Sequence, residues 1–291
     1  MQIALHAGAH ATDEDRLIAC LRRNTSALAR AGVGVPPPAS YRKLLRDILN
    51  SAGEAGLAPG AREMVLDAIG ETDGVARLVL SNPGFFGTEK MALSGARLYP
   101  AAEARLGLLR QVFEGDEVAL FLGLRDPAMF LPALLEGTPF ANVDGLMRGG
   151  APEDLRWSDL VARIRDAFPD MDITVWCNED TPVIWARILR EIAGVDASLG
   201  LEGADALLSE IMTPAGFRRL EEYRTAHPGM TEAQDQRVIA AFLDKYADAN
   251  AVEIELDVPG WDAAVIDRLT GIYDADIGEI RRIDGVRVLA P

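Results

Sequence analysis

Four short apolar runs, each closed by a turn and followed by a helical pattern, constrain this chain more than any other feature. The first spans residues 2–7 and ends at Gly8, after which Leu17, Ile18, Leu21 and Leu28 fall at helical spacing before Gly32. The runs at 76–80 (ARLVL), 118–124 (VALFLGL) and 173–176 (ITVW) repeat the arrangement. Such lengths suit strands, and strands alternating with helices build a mostly parallel sheet covered on both faces. The expected fold is α/β with three α/β/α layers. Downstream of about residue 195 the pattern becomes almost wholly helical, through 204–210, 214–225, 232–247 and 261–280, and a last apolar run follows at Val286–Leu289. This predicts a helical cover in the C-terminal half.

Local signals mark the helix starts. Thr181-Pro182 and Thr213-Pro214 have the form of an N-cap followed by proline at the first helical position, and Thr231-Glu232-Ala233-Gln234 has the form of a capping box. Two loop-rich stretches, 34–40 (GVPPPAS) and 82–100, interrupt the alternation; in open α/β sheets such insertions shape the ligand pocket. No repeat or linker divides the chain, so residues 1–291 read as one domain.

Composition narrows the function classes. Hydrophobic residues make up 49% of the 291 residues and charged residues 25%, enough for a core without disulfides or metal. The 29 Lys and Arg face 45 Asp and Glu, a net charge of −16 whose field repels polyanions and argues against general nucleic-acid binding. The only lysines are Lys43, Lys90 and Lys245, none of them in a glycine loop. Cys20 and Cys177 lie far apart without C-x-x-C spacing, which suits a reducing compartment rather than a disulfide scaffold or a zinc site. The start Met1-Gln2-Ile3-Ala4-Leu5-His6 lacks a basic n-region, and no apolar stretch is long enough to span a bilayer. A cytoplasmic protein without membrane insertion is expected. His6 and His10 are separated by the Gly8 turn and have no third ligand in reach of the sequence, so no metal site is expected.

A strand that ends in a glycine turn and enters a helix is where phosphate loops sit, because exposed amides and the helix dipole attract anions. Around Leu5-His6-Ala7-Gly8-Ala9-His10-Ala11-Thr12-Asp13-Glu14-Asp15 the chain resembles the sulfotransferase family, whose members open with a strand and a loop of the form G-x-x-K-[ST]-G-[ST]-[ST]. The similarity extends through Asn24, Leu28 and Gly32-Val33 to Pro36, Pro37 and Pro38, and to Leu78-Val79-Leu80-Ser81, near which many members carry an acidic base. Leu124-Arg125-Asp126-Pro127 with Phe130-Leu131 is similar to the segment where an arginine and a serine hold the donor's 3′-phosphate. The ending, with Leu269, Tyr273-Asp274-Ala275-Asp276, Gly285-Val286 and Pro291, resembles the tail of bacterial relatives. The resemblance implies a P-loop-type fold and PAPS as sulfuryl donor, with Gly8, Thr12 and Arg125 as donor-binding positions.

This copy of the loop departs from the family pattern. Ala11 stands at the lysine, and Asp13, Glu14 and Asp15 stand where glycine and two hydroxyl residues are expected. Losing the cation removes about 1.5–3 kcal/mol, and each carboxylate at about 6 Å from a phosphate adds roughly 1.4 kcal/mol of repulsion. With up to three carboxylates facing the phosphate, a total of about 4–7 kcal/mol would turn a micromolar donor site into one that is millimolar or worse. The pattern Thr12-x-x-Asp15 instead resembles a capping box in which the acids serve the helix dipole. Ala133 stands where the family's phosphate serine is expected, and Asn82-Pro83 where its acidic base is expected. Arg125 is open to two readings, a 3′-phosphate ligand or a strand-end arginine before an Asp126 N-cap. His10 and Glu179 are the candidate bases, although Glu179 also precedes a helix start and His10 also reads as a loop histidine, as does His227.

Three functions follow as expectations. One is a sulfotransferase-family homologue that does not bind PAPS conventionally and serves as a non-catalytic binding or interaction protein for a small molecule or a protein partner. Another is an active PAPS-dependent enzyme acting on a hydroxyl acceptor, with charge supplied by Arg16, Arg22 or Arg42. The third is an α/β protein that takes a different, neutral or cationic small molecule at an acidic mouth.

Overall fold

Strict alternation along the first strand sets up the layers. In β1 (Gln2–His6), Ile3 and Leu5 join one buried cluster while Ala4 joins another. The computed structural model describes residues 1–52, 56–70, 72–252 and 258–291. Its six-stranded sheet also contains β2 (Val33–Gly34), β3 (Arg77–Ser81), β6 (Glu117–Leu124), β7 (Asp172–Cys177) and β8 (Val286–Leu289). The order is β2-β3-β1-β6-β7-β8, and all pairings in it are parallel. A separate two-stranded hairpin, β4 (Leu93–Ser94) with β5 (Arg97–Leu98), falls inside the 82–100 insertion.

One sheet face, with Ile3, Leu5, Leu78, Leu80, Leu120 and Leu122, packs on helices that include Pro38–Ser51, Ala102–Val112, Pro127–Glu136, Trp157–Ala167 and Ala263–Ile280. The other, with Ala4, Val79, Phe121 and Trp176, packs on Arg16–Arg23 and Thr181–Ala193. The expected α/β architecture with helices on both faces is therefore present. The helical C-terminal half divides instead of forming one cover. Helices Ala206–Ile211, Pro214–Ala226 and Glu232–Tyr246 enclose their own small core of Leu208, Met212, Leu220 and Ile239 beside Val183. Helix Ala263–Ile280 returns to the opposite face, where Tyr273, Ile277 and Ile280 enter the larger core.

Local chemistry moved several boundaries. The helical pattern before Gly32 is broken at Asn24 into Arg16–Arg23 and Thr25–Arg30. The buried Asn24 amide serves tertiary contacts there: its Nδ2 donates to the Cys20 and Glu202 carbonyls at 2.9 Å each, and its Oδ1 accepts from the Glu202 amide at 2.8 Å. Thr213 caps its helix, and Thr231 with Gln234 forms the capping box read from sequence. At the third start, Thr181 is itself the first helical residue, after the 3-10 turn Asn178–Asp180. Proline at N1 also lets a helix begin at Pro38, which shortens the 34–40 loop. Both cysteines are free thiols, and burial pushes Cys177 up to about 11. Among the described residues no helix is long and apolar enough to cross a membrane.

Candidate functional site

Topology places the site before any side chain is considered. The helix after β1, Arg16–Arg23, lies on one face of the sheet, and the helix after the neighbouring β6, Pro127–Glu136, lies on the other. Chains that leave adjacent strands toward opposite faces open a crevice at the strands' carboxyl ends, where α/β proteins bind ligands. Beyond β1 the chain stays beside β6, with the Ala7 amide donating to Phe121 O at 2.9 Å and the Ala9 amide to Gly123 O at 3.1 Å.

The loop that follows is strained. Among the described residues five non-glycine positions have positive φ: Ala11, Glu14 and Asp15 in this loop, Tyr99, which holds it, and Arg148 elsewhere. Each such residue costs on the order of 1–3 kcal/mol, and such strain persists where surrounding contacts over-determine it. Gly8 adds a fourth left-handed position at φ 47°, which favours glycine through its backbone alone, since a Cβ there would meet Thr12 Oγ1 and His6 Nε2 only at ordinary contact distance.

The acids of the loop are each engaged by neighbouring groups, by a different route from the expected capping box. Thr12 Oγ1 donates to Ala9 O at 2.7 Å instead of capping, and the helix starts only at Arg16, after a left-handed Asp15. Asp13 takes over the capping: its Oδ2 accepts from the Leu17 amide at 3.2 Å. Asp15 forms a two-pronged pair with Arg42 at 2.6 and 2.7 Å, and the Arg42 guanidinium holds its carboxyl below the ordinary range. Arg42 Nε also donates to Ser81 O at 2.8 Å, which staples the loop to the end of β3. Glu14 is exposed and pairs with Arg16, which also reaches Glu210. Arg125 Nη1 donates to the Ala11 carbonyl, while Asp126 caps the next helix by accepting from the Ala128 amide at 2.8 Å. Arg125 thus stands at the strand end before an Asp126 N-cap and clips the loop.

The histidines diverge across the Gly8 turn. His6 is buried, stacks on Trp176 and meets Ser81 Oγ through Nδ1 at 2.9 Å; burial lowers its pKa, and among the described residues its Nε2 has no partner. His10 belongs to a separate cluster. Its amide donates to the Tyr99 hydroxyl at 3.0 Å, and its Nδ1 meets the same hydroxyl at 2.9 Å. Burial pushes the Tyr99 phenol up, so it keeps its proton, and burial likewise lowers His10, so the ring is neutral near pH 7. One arrangement satisfies every group: Tyr99 accepts from the His10 amide and donates to Nδ1, which assigns the His10 proton to Nε2. In that tautomer Nδ1 of His10 is held by Tyr99 and Nε2 carries the proton. Glu179 lies in neither cluster; it accepts from the Asp126 amide at 2.9 Å and from Tyr273 at 3.1 Å, and burial raises its pKa. The two candidate bases thus serve different neighbourhoods.

His10 lines a cleft of about 610 Å³ between helix Pro38–Ser51 and the 82–100 insertion, so residues of both loop-rich stretches line it. Its charged lining is Arg42, Lys43, Arg46 and Arg105 against Glu89, a basic patch on an acidic chain and the reverse of an acidic mouth. Residues 42, 43, 46 and 50 share one helix face, a spacing visible in the sequence but masked there by the global charge. Tyr99 has no such signal, because its contact with His10 spans 89 residues. A second cavity, of about 340 Å³, lies between helix Thr181–Ala193 and the small C-terminal core; of its arginines, 190 and 224 are bound in ion pairs and Arg187 donates to the Ala290 carbonyl at 3.1 Å. Among the described residues no group of three or more His, Cys, Asp or Glu is arranged to hold a metal ion. The chain matches no family model, no curated protein and no solved structure.

Proposed function

We propose that this chain is a sulfotransferase-like binding protein that does not hold PAPS conventionally and does not transfer sulfuryl groups. One observation carries the reading: the loop after β1 is closed by its own groups, with Asp13 on the Leu17 amide, Asp15 on Arg42 and Arg125 on the Ala11 carbonyl. A phosphosulfate entering there would have to break these contacts and would meet carboxylates where the family keeps a lysine. The parallel sheet with a glycine turn leaving a central strand supports the family scaffold. Calorimetry with 3′-phosphoadenosine 5′-phosphate at low salt tests it: no binding at millimolar concentration is expected. A PAPS-dependent thermal shift that Arg125→Ala abolishes would overturn it.

The cations beside His10 favour a second reading, an active enzyme in which an acceptor hydroxyl attacks sulfur and 3′-phosphoadenosine 5′-phosphate leaves. That reading needs a base, and the protonated Nε2 of His10 is a poor one. Release of the nucleotide from PAPS in the presence of a panel of hydroxyl acceptors would establish this alternative, and its absence would remove it.

A further inference from the structure

We infer that the cleft beside His10 is a binding site for a small organic oxyanion, a phosphate or sulfate monoester carried on an apolar body. The inference rests on the cleft alone and is independent of whether the loop has lost PAPS. Two of its four cations are already engaged. Arg42 is paired with Asp15 and bonded to Ser81 O, and Arg105 donates to Phe85 O at 2.7 Å and to Asn50 Oδ1 at 3.1 Å. These fix the walls. Lys43 has no ion pair among the described residues, and Arg46 has only a 3.5 Å contact with the adjacent Asp47, both partners more than half exposed. The free cations therefore stand one turn apart on one helix face, opposed in the lining only by Glu89.

The rest of the cleft sets the ligand's class. His10, 4% exposed, lines it as a neutral imidazole whose Nδ1 is held by Tyr99. Pro38, Ala39, Pro83 and Met91 provide an apolar shelf beside the charges, and Met91 is 43% exposed, unusual for so large an apolar side chain. A cavity of about 610 Å³ falls within the range of small-molecule sites. The net charge of −16 repels extended polyanions while leaving a short anion free to meet this local patch.

The test is calorimetric titration of the full chain at low salt with phenyl phosphate, phenyl sulfate, inorganic phosphate and phenol. Saturable binding of phenyl phosphate or phenyl sulfate is expected, tighter than inorganic phosphate and with none for phenol; the ratio between the two esters identifies the oxyanion. Lys43→Ala and Arg46→Ala should each weaken binding by about tenfold, as expected for one charge-assisted contact. Both residues are exposed on a helix, so alanine preserves the fold, and Lys43→Gln with Arg46→Gln provides a second pair. Arg22→Ala with Arg23→Ala, on another helix, should leave affinity unchanged. Failure of both esters to bind at millimolar concentration overturns the inference, as does binding unaffected by the Lys43 and Arg46 variants or equally weakened by the Arg22 and Arg23 pair. Nucleotide binding lost only in Arg125→Ala would refute the closed-loop reading while leaving this one standing.

Discussion

Replacing Tyr99 by phenylalanine removes one oxygen atom and leaves the ring, which isolates the contact holding His10. Tyr99 is fully buried, packs edge-on against Phe86 with centroids 5.7 Å apart and lies 6.3 Å from Trp157, and none of this packing needs the hydroxyl. Its left-handed backbone, φ 42°, is equally strained for either residue. The substitution therefore leaves the His10 amide at 3.0 Å and Nδ1 at 2.9 Å without their partner in a buried setting. An unpaired buried donor or acceptor costs about 1–3 kcal/mol, and relief from desolvating the hydroxyl offsets part of the sum. A net loss of about 2–4 kcal/mol is expected, or roughly 4–12 °C in Tm for a chain of this size. Urea unfolding at unchanged m value measures the loss. Imidazole nitrogen NMR should place the proton of wild-type His10 on Nε2 and show a tautomer mixture in the variant. A loss below about 0.5 kcal/mol with an unchanged imidazole spectrum would refute the assignment, because the buried-partner penalty would then be missing.

Further predictions follow from the same contacts. Arg125→Ala should remove the clip on the Ala11 carbonyl, cost about 1–2 kcal/mol and speed amide exchange over residues 11–15 while β1 stays protected; unchanged exchange there would contradict the clip. Asp276 is buried and accepts from the Trp157 amide at 2.6 Å, from the Ser158 amide at 3.1 Å and from the Ser158 hydroxyl, so Asp276→Ala should cost about 2–3 kcal/mol in thermal or urea unfolding, and an effect near zero would exclude this cap as a stabilising contact. Stability should fall as pH drops from about 6.5, since burial depresses the native pKa of His6 and His10 and only the unfolded chain takes up protons in that window. The slope reaches at most about 1.4 kcal/mol per pH unit for each histidine; His6→Asn should flatten its share, and a flat wild-type profile between pH 7.5 and about 5 would overturn the assignment. Asp15, whose pKa is lowered, loses its contribution in a separate and more acidic window.

Period and punctuation made the sheet legible. The runs at 118–124 and 173–176 are apolar on both faces because β6 and β7 are covered on both sides, and the helix signals at Thr213, Thr231 and Asp126 act through neighbours within three residues. The break at Asn24 was not legible, since its partner Glu202 lies 178 residues away. The same limit applies within the site. Four acids or hydroxyls in a row, Thr12 to Asp15, are visible locally, but which of them caps the helix depends on Arg42 drawing Asp15 aside and on Tyr99 fixing His10. Arg42 was foreseeable as a source of charge; its consumption by Asp15 was not.

The distribution of the arginines explains why a chain of net charge −16 carries its basic patch one turn beyond the loop. The loop holds three strained left-handed residues besides Gly8 and three adjacent acids, and both conditions need cations: Arg42 neutralises Asp15, Arg16 meets Glu14, and Arg125 restrains Ala11. A phosphate placed over the loop would compete for those same guanidinium groups and release the strain they offset. Among the described residues the next cations on the Arg42 helix, Lys43 and Arg46, make no ion pair beyond the 3.5 Å contact of Arg46 with Asp47, and both line the cleft. On the proposed readings an anion would gain most by binding beside the loop rather than on it, and the closed loop and the open cleft would share one electrostatic cause.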